Sequence, residues 1–232
     1  MSGTGPICLD SRLRLLAEEM TPGGAGIDVG TDHGYLAVYL VQSGLAARMV
    51  ASDVNRGPLA SAESCIAEHG LTDKIETKLA DGLKGLDLAG ISDIFIAGMG
   101  GILISEILAA RHPLSQKLML QPMTQAPLLR RWLLENGYRI ERERCALSAG
   151  KVYSAMTACY DGVRRDCTPI FALVGQIPDD PSEAAFFYLE RQFSRLQRRI
   201  SGLARQGGSD ELDETQELAA ALSKIIAKRK RC

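Results

Sequence analysis

The stretch Gly26-Ile-Asp-Val-Gly-Thr-Asp-His-Gly34 joins a short apolar run to a turn that contains two glycines. A run of this length, closed by glycines and followed by an uncharged segment, is typical of a strand that leads into a helix. An amphipathic helix is predicted before it, over residues 9–20, and Pro22 with the glycines after it ends that helix. The chain therefore opens with a helix, a strand and a second helix.

Alternation of strands and helices continues along the chain. Four further apolar runs are separated by segments with helical spacing, and they are Met49–Val54, Ile75–Leu79, Ile94–Ala97 and Leu118–Leu120. This order indicates an α/β fold with a doubly wound, mostly parallel sheet and helices on both faces. Two more runs, Tyr138–Leu147 and Val152–Tyr160, are predicted to close the edge of the sheet as an antiparallel pair.

The glycine turn after the first strand is the expected ligand site, because doubly wound sheets bind ligands at the carboxyl ends of their strands. It lacks the GxGxxG dinucleotide fingerprint, since only Gly30 and Gly34 are present. Asp28 and Asp32 would repel a pyrophosphate and suit a ligand with an ammonium or sulfonium group, such as S-adenosylmethionine. A plain corner between strand and helix is the alternative interpretation.

Two further acidic positions follow the second and third strands. Asp53 lies about 20 residues past the glycine turn, where a carboxylate can bind both hydroxyls of an adenosine ribose. Asp81, followed by Gly82, is placed to accept a hydrogen bond from an adenine amino group. The alternatives are that Asp53 caps the next helix and that Asp-Gly is a simple turn. Acidic residues after three successive strands together favour an adenosyl ligand.

The fourth and fifth strands end in Ala97-Gly-Met-Gly-Gly101 and Leu120-Gln-Pro-Met123. The glycines allow the backbone to approach a ligand, and Met99 can pack against a flat base; alternatively, the glycines serve tight packing of strand on helix. Gln121 offers both a donor and an acceptor. The Asn- or Asp-Pro-Pro-aromatic motif of many amino-methylating enzymes is absent at this point.

Composition limits the class of protein. The 232 residues are 46% hydrophobic and 24% charged, as in ordinary soluble domains. Lys and Arg number 27 against 28 Asp and Glu, so a nucleic acid would have to meet a local basic patch. The six cysteines and three histidines show no metal-ligand spacing, and we predict no metal site. With no signal peptide and no membrane-length apolar run, the sequence predicts a cytoplasmic protein with no membrane partner.

The tail is predicted to be an antiparallel pair of helices, a hairpin of coiled-coil type. Apolar residues repeat at spacings of three and four in two seams, Phe186, Leu189, Phe193, Leu196, Ile200 and Leu203, then Leu212, Thr215, Ala219, Leu222 and Ile226. Gly207-Gly208 separates the helices, and Ser209 is placed to cap the second. We expect the two seams to bury each other, so that the tail is separable from the rest of the chain.

Basic residues cover the other face of the tail. They are Arg191, Arg195, Arg198, Arg199 and Arg205, with Lys228-Arg-Lys-Arg231 at the end of the chain. Such residues often only keep a helix soluble, and Lys and Arg are also favoured in a last helical turn. An RNA-contacting surface is the functional alternative.

The motifs above resemble those of the bacterial tRNA (adenine-22-N1)-methyltransferases, class I S-adenosylmethionine-dependent enzymes. The similarity covers nearly all of the first 160 residues and rests on Asp28-Val-Gly-Thr-Asp-His-Gly-Tyr35, Ala51-Ser-Asp-Val-Asn-Arg-Gly-Pro58, Asp81-Gly-Leu83, Ile96-Ala-Gly-Met-Gly-Gly101, Leu120-Gln-Pro-Met123, Gly137-Tyr138 and Gly150-Lys-Val-Tyr153. Thr31 and Gly34 stand where that family has Ser and Ala. The family also ends in a helical coiled-coil domain, which agrees with the predicted tail.

The resemblance implies a Rossmann-like catalytic domain over residues 1–160 and a helical domain over 161–232. It implies methyl transfer from S-adenosylmethionine to N1 of adenine 22 in the D-arm region of tRNA, with no DNA partner. The implied cofactor-binding residues are Asp28, Gly30, Asp53, Val54, Asp81, Gly82, Ala97 and Gly98. The implied catalytic residues are Asp32, His33, Tyr35, Asn55 and Met99. No oligomeric state is predicted.

Individual roles follow from the chemistry of adenine N1. Its in-plane lone pair attacks without prior deprotonation, so alignment matters more than a strong base. Asp32 is placed to stabilise the cationic product, and His33 to relay a proton or to position the base. Tyr35 and Met99 are candidate stacking surfaces, and Asn55 can read the adenine edge.

Two other functions remain open from the sequence. One is S-adenosylmethionine-dependent methylation of another RNA or of a small molecule. The other is a non-catalytic adenosyl-binding or RNA-binding module. A nicotinamide-dependent dehydrogenase is disfavoured because the dinucleotide fingerprint is absent.

Overall fold

A computed structural model describes residues 5–205 and 210–230. At its centre is a seven-stranded sheet in the order β3-β2-β1-β4-β5-β7-β6. The strands are β1 (Gly24–Val29), β2 (Ala46–Asp53), β3 (Ile75–Leu79), β4 (Asp93–Gly100), β5 (Lys117–Thr124), β6 (Tyr138–Ser148) and β7 (Lys151–Tyr160). β1 to β5 are parallel, whereas β7 runs antiparallel to both β5 and β6. The predicted Rossmann-like sheet with an antiparallel pair at its edge is confirmed.

Helices cover both faces of this sheet. They are α1 (Ser11–Ala17), α2 (Tyr35–Gln42), α3 (Arg56–Glu68), α4 (Gly101–Arg111), α5 (Ala126–Glu135), α6 (Pro169–Val174), α7 (Glu183–Ala204) and α8 (Asp210–Arg229). Successive side chains of a strand point to opposite faces. Ile94 and Ile96 of β4 therefore pack with α4 and α5, whereas Phe95 packs with α1, α2 and α3. None of the helices within the described ranges is both long enough and apolar enough to cross a bilayer.

The opening helix is shorter than the predicted span of residues 9–20. The side chain of Asp10 accepts a hydrogen bond from the backbone N–H of Leu13, which caps the helix and fixes its start at Ser11. After Glu18, the N–H groups of Glu19 and Met20 bond three residues back instead of four, so the helix tightens into a turn. Its apolar spacing is nevertheless used, because Leu9 and Met20 are buried on either side of the helix.

The tail helices α7 and α8 pair as predicted. Arg199 bonds Glu211 near one end and Lys230 bonds Glu190 near the other, so the helices run antiparallel. The seam residues Leu189, Leu196, Thr215, Ala219, Leu222 and Ile226 are buried. The predicted break at Gly207-Gly208 and the cap at Ser209 lie outside the described residues, as does Arg231.

The expectation that the two seams bury only each other is wrong. The tail cluster also contains Cys145 of β6 and Val152 of β7, so α7 lies on the edge hairpin of the sheet. The carboxylate of Asp180 accepts a hydrogen bond from the backbone N–H of Cys145 at 2.7 Å. A helical seam with this spacing fits a sheet as well as a second helix, and here it contacts both.

A buried ion pair lies at this junction. Arg130 of α5 and Glu143 of β6 lie 2.9 Å apart with no exposed side-chain surface. The Arg130 guanidinium also donates to the carbonyls of Ala172 and Leu173 at the end of α6 and to the Tyr188 hydroxyl of α7. A buried charge needs such complete pairing, and this one joins four elements across residue 160.

Candidate active site

A cavity of about 560 Å³ lies where the sheet order reverses, at the carboxyl ends of β1 and β4. Ligands of doubly wound sheets bind at this point. Seven of the predicted site residues line it, namely Asp28, Gly30, Asp32, His33, Tyr35, Ala97 and Gly98. The remaining six predicted residues do not form its walls, and they are Asp53, Val54, Asn55, Asp81, Gly82 and Met99.

Asp28 is the buried anion of the cavity, with 3% of its surface exposed. Burial raises its pKa to about 6, against an ordinary value of 3.8. The Thr31 hydroxyl donates to its carboxylate at 2.7 Å and opposes that rise, whereas the negative charge of Asp53 adds to it. A carboxylate held in this way is stabilised by an incoming cation.

The turn after β1 is fixed by its backbone. The N–H groups of Gly30 and Thr31 both donate to the Ser52 carbonyl, at 2.8 and 2.9 Å. Gly30 has a φ of 73°, and a β-carbon there would overlap the methyl group of Met99. Met99 therefore packs beneath the turn, against the core, and does not reach the cavity wall.

Asp32, His33 and Tyr35 form the outer rim of the cavity. The rings of His33 and Tyr35 are stacked with centroids 5.3 Å apart. The Nε2 atom of His33 lies 3.7 Å from the Asp32 carboxylate, and all three side chains are open to solvent. Asp32 has a φ of 54°, which is uncommon outside glycine and is a strained backbone conformation. These groups are positioned to meet a molecule that enters the cavity from solvent.

Asp53, Val54 and Asn55 lie at the end of β2, beside the glycine turn. Asp53 is buried, and its carboxylate accepts a hydrogen bond from the backbone N–H of Asn55 at 2.8 Å. Asn55 is the N-cap residue of α3, but its side chain makes no capping bond, so its amide is free of that role. Val54 is 60% exposed. One acidic side chain is thus fixed here beneath two exposed neighbours.

Asp81 and Gly82 follow β3. Asp81 is exposed and bonds Lys84 at 2.6 Å. Gly82 has a φ of 60°, and a β-carbon there would press against Ile107 of α4. Packing thus accounts for the glycine, whereas Asp81 is accessible from solvent.

Arg12 is a site residue that the sequence did not reveal. It is the one Lys or Arg among the described residues that line the cavity. Its guanidinium donates to Gln121 at 2.8 Å, and its Nε atom lies 2.9 Å from Asp10. The same Gln121 oxygen accepts from the Gly98 N–H at 3.2 Å, so Gln121 fixes both the arginine and the β4 turn. A lone arginine on a short helix carries no motif, and only the docking of α1 on the sheet identifies it.

The part of the chain that the structure describes contains no cluster of metal-binding side chains. Within residues 5–205 and 210–230, no three His, Cys, Asp or Glu side chains are grouped to hold an ion. Among the described residues that line the cavity, the charged groups are instead buried Asp28, exposed Asp32 and Arg12 with its partner Asp10. This donor set fits a zwitterionic organic ligand.

Comparison with known proteins agrees with this geometry. A family model described as a methyltransferase domain matches residues 9–156. The chain is 34% identical over 165 residues to the tRNA (adenine(22)-N(1))-methyltransferase of Bacillus subtilis. The matched region covers 67% of this chain and 69% of that protein.

Solved structures share the whole architecture, including the tail. The Bacillus subtilis m1A22 tRNA methyltransferase TrmK superposes with a TM-score of 0.81 at 26% identity, covering 96% of this chain and 99% of that chain. A Streptococcus pneumoniae protein in complex with S-adenosyl-L-methionine gives a TM-score of 0.82 at 28% identity, covering 94% of this chain and 100% of that one. Sequence and fold together show that the chain belongs to the tRNA (adenine(22)-N(1))-methyltransferase family.

Proposed function

We propose that this protein transfers the methyl group of S-adenosyl-L-methionine to N1 of adenine 22 in tRNA. The observation that carries the proposal is the cavity at the β1–β4 reversal, with buried Asp28 on its wall and Asp32, His33 and Tyr35 on its rim. The identity to the Bacillus subtilis enzyme supports the acceptor. When bound, the cofactor supplies an electrophilic methyl group on a sulfonium.

The residues present fit this cofactor. Its amino-acid part carries an ammonium and a carboxylate, and the cavity offers Asp28 for the first and Arg12 for the second. We assign the ribose hydroxyls to Asp53 and the adenine amino group to Asp81, with Val54 and Gly82 beside them. Gly30, Ala97 and Gly98 give the backbone close access to the ligand.

The exposed rim suits the acceptor base. N1 lies on the Watson–Crick edge, so the target adenine must leave its stack to reach the methyl group. Tyr35, 49% exposed and backed by the His33 ring, offers a stacking surface. Asp32 is placed to stabilise the positive charge that the adenine acquires, and the free amide of Asn55 to read its edge. We assign Met99 a supporting role beneath Gly30 in place of direct stacking.

The two parts of the chain divide this work. We propose that residues 1–160 bind the cofactor and align the reaction, and that residues 161–232 help to hold tRNA, in the cytoplasm. Because the protein has a net charge of −1, it needs a concentrated basic surface to bind tRNA, and the tail supplies arginines on α7. Neither DNA nor a membrane is a proposed partner.

The decisive test is to map methylation on defined tRNA. Purified protein, radiolabelled cofactor and a tRNA transcript with adenine 22 should give one methyl group at N1 of that base. A matched transcript with guanine at position 22 should receive none. Equal labelling of both transcripts, or labelling of small molecules alone, would assign another acceptor. Labelling of neither would favour a non-catalytic adenosyl-binding module.

A further inference from the structure

A second groove, of about 160 Å³, lies next to the cofactor cavity. Met123 at the end of β5 lines both, so a single chain of a substrate can cross from one to the other. The walls of the groove are the turn between β5 and α5, the start of β7 and one side of α7. Its polar groups include those of Gln125, Tyr153, Ser154, Gln192, Arg191 and Arg195.

The charge of this groove is positive. Arg191 and Arg195 lie one helical turn apart on α7, and no Asp or Glu occurs among the described lining residues. One guanidinium nitrogen of Arg191 donates to the Val152 carbonyl at 3.3 Å, which holds this side chain over β7. Arg195 is exposed and makes no hydrogen bond or ion pair with any other residue in the described ranges. By contrast, Arg199 is neutralised by Glu211 at 2.6 Å.

The groove is built on fixed elements. Gln125 has a φ of 56°, and its carbonyl oxygen occupies the space that a β-carbon at Gly101 would need, so the turns after β4 and β5 interlock. On the other wall, Tyr188 of α7 receives a hydrogen bond from buried Arg130. That contact fixes α7 relative to the cavity just before the turn that carries Arg191.

We propose that this groove binds a backbone phosphate of the RNA adjacent to the target adenosine. The inference rests on the proposed function and adds a second subsite to it. An arginine pair without a local anion is suited to a phosphate, because the planar guanidinium donates two parallel hydrogen bonds to its oxygens. Tyr153, partly exposed on β7, provides a face for the neighbouring base or ribose. The tail then acts at the reaction centre itself and not only as a distant clamp.

The test uses the full chain with Arg191→Ala and Arg195→Ala. Each should raise the KM for tRNA about tenfold and leave cofactor affinity within about twofold. Each should also reduce the slope of log tRNA affinity against log salt concentration by about one. Arg111→Ala is the matched control, because Arg111 is exposed at the far end of α4 and makes no side-chain hydrogen bond or ion pair with another described residue. Variants that match this control in KM and salt dependence would overturn the proposal.

Chemical neutralisation of single phosphates locates the contact. Two RNAs carry an uncharged methylphosphonate, one on the 5′ side and the other on the 3′ side of adenine 22. With the native chain, one of them should show the same rise in KM that Arg195→Ala shows with unmodified RNA. Combining that RNA with the variant should cost no more than either change alone, since both remove one interaction. Fully additive losses at both positions would overturn the proposal. Absence of methylation by the native chain would instead remove the proposed function, while binding of the modified RNAs would still test the groove.

Discussion

The methyl group of Met99 fills the space that a β-carbon on Gly30 would occupy, which ties the β4 turn to the β1 turn. The two turns form facing parts of the site, because β1 and β4 are neighbours and Val29 pairs with Ile96. Met99 at the end of β4 thus restricts the residue that can follow β1 at position 30. Gly30 is required both by its φ of 73° and by this contact.

Gly30→Ala should destabilise the protein and weaken cofactor binding. The left-handed conformation costs a β-carbon about 1–2 kcal/mol, and displacing Met99 adds about 1–3 kcal/mol. Gly44→Ala isolates the first cost, because Gly44 has a φ of 72° and open space around it. Adding Met99→Ala to Gly30→Ala should recover part of the loss in urea unfolding. Equal destabilisation by Gly30→Ala and Gly44→Ala would show that the contact has no energetic effect.

Asp28→Asn should stabilise the ligand-free protein at pH 8 and weaken cofactor binding. The pKa of Asp28 is about 6 in the folded protein and is taken as 3.8 in the unfolded chain, so the folded state holds the proton more tightly. The carboxyl therefore favours folding at low pH, and this contribution is lost as pH rises from about 4 through 6. The cost at pH 8 is about 3 kcal/mol. Unfolding at pH 5 and pH 8 should show a larger gain for the variant at pH 8. A gain independent of pH would contradict burial as the cause.

Cofactor affinity should report the same carboxyl. In the native chain it should fall as pH drops below about 6, because protonation removes the anion that faces the ammonium group. Calorimetry over this range should give a flat profile for Asp28→Asn. Asp53→Ala should lower affinity by about tenfold at pH 8, since it loses a charged hydrogen bond to the ribose. Removal of its charge should also lower the pKa of Asp28 and move the fall in affinity to lower pH.

Arg12→Ala should weaken cofactor binding by about tenfold, as expected for the loss of one charge-assisted hydrogen bond. Gln121 would lose its partner, so Arg12→Lys provides a second measurement in which charge is kept but the guanidinium fork is not. Binding of a cofactor analogue without its carboxylate should be equal in all three proteins. If Arg12→Ala weakens the analogue as much as the cofactor, the arginine acts only through Gln121.

Asp32→Ala should lower the rate of methyl transfer and leave cofactor affinity nearly unchanged. Its carboxylate is on the exposed rim beside His33, where the adenine becomes cationic, and removal of one electrostatic stabiliser costs up to about 100-fold in rate. Single-turnover kinetics at saturating cofactor separate this effect from binding. Asp32→Asn keeps the size and should be equally slow. A variant that loses cofactor binding but reacts normally at saturation would reassign Asp32 to the cofactor.

Local patterns predicted the strands and the acidic turn because the chemistry of that turn is contained in nine consecutive residues. Long-range contacts limited the rest. Arg12 has no local signal, and Met99 reads as an exposed stacking group until its distance to Gly30 is known. Arg130 resembles a surface residue of an amphipathic helix, yet it is fully buried by partners 13 to 58 residues away in the chain. Hydrophobic periodicity reveals which face of an element is buried but not what covers it.

Removal of the tail should therefore unfold more than the tail. A chain that ends at Tyr160 loses the Ala172 and Leu173 carbonyls and the Tyr188 hydroxyl that surround Arg130, and it exposes Val152. We expect this fragment to aggregate or to lose cooperative unfolding, whereas the full chain should unfold in one calorimetric transition. Asp180→Ala tests the junction without truncation, because it leaves the buried N–H of Cys145 without a partner at a cost of about 1–3 kcal/mol. A soluble fragment of residues 1–160 that binds the cofactor with native affinity would show that the tail is energetically independent.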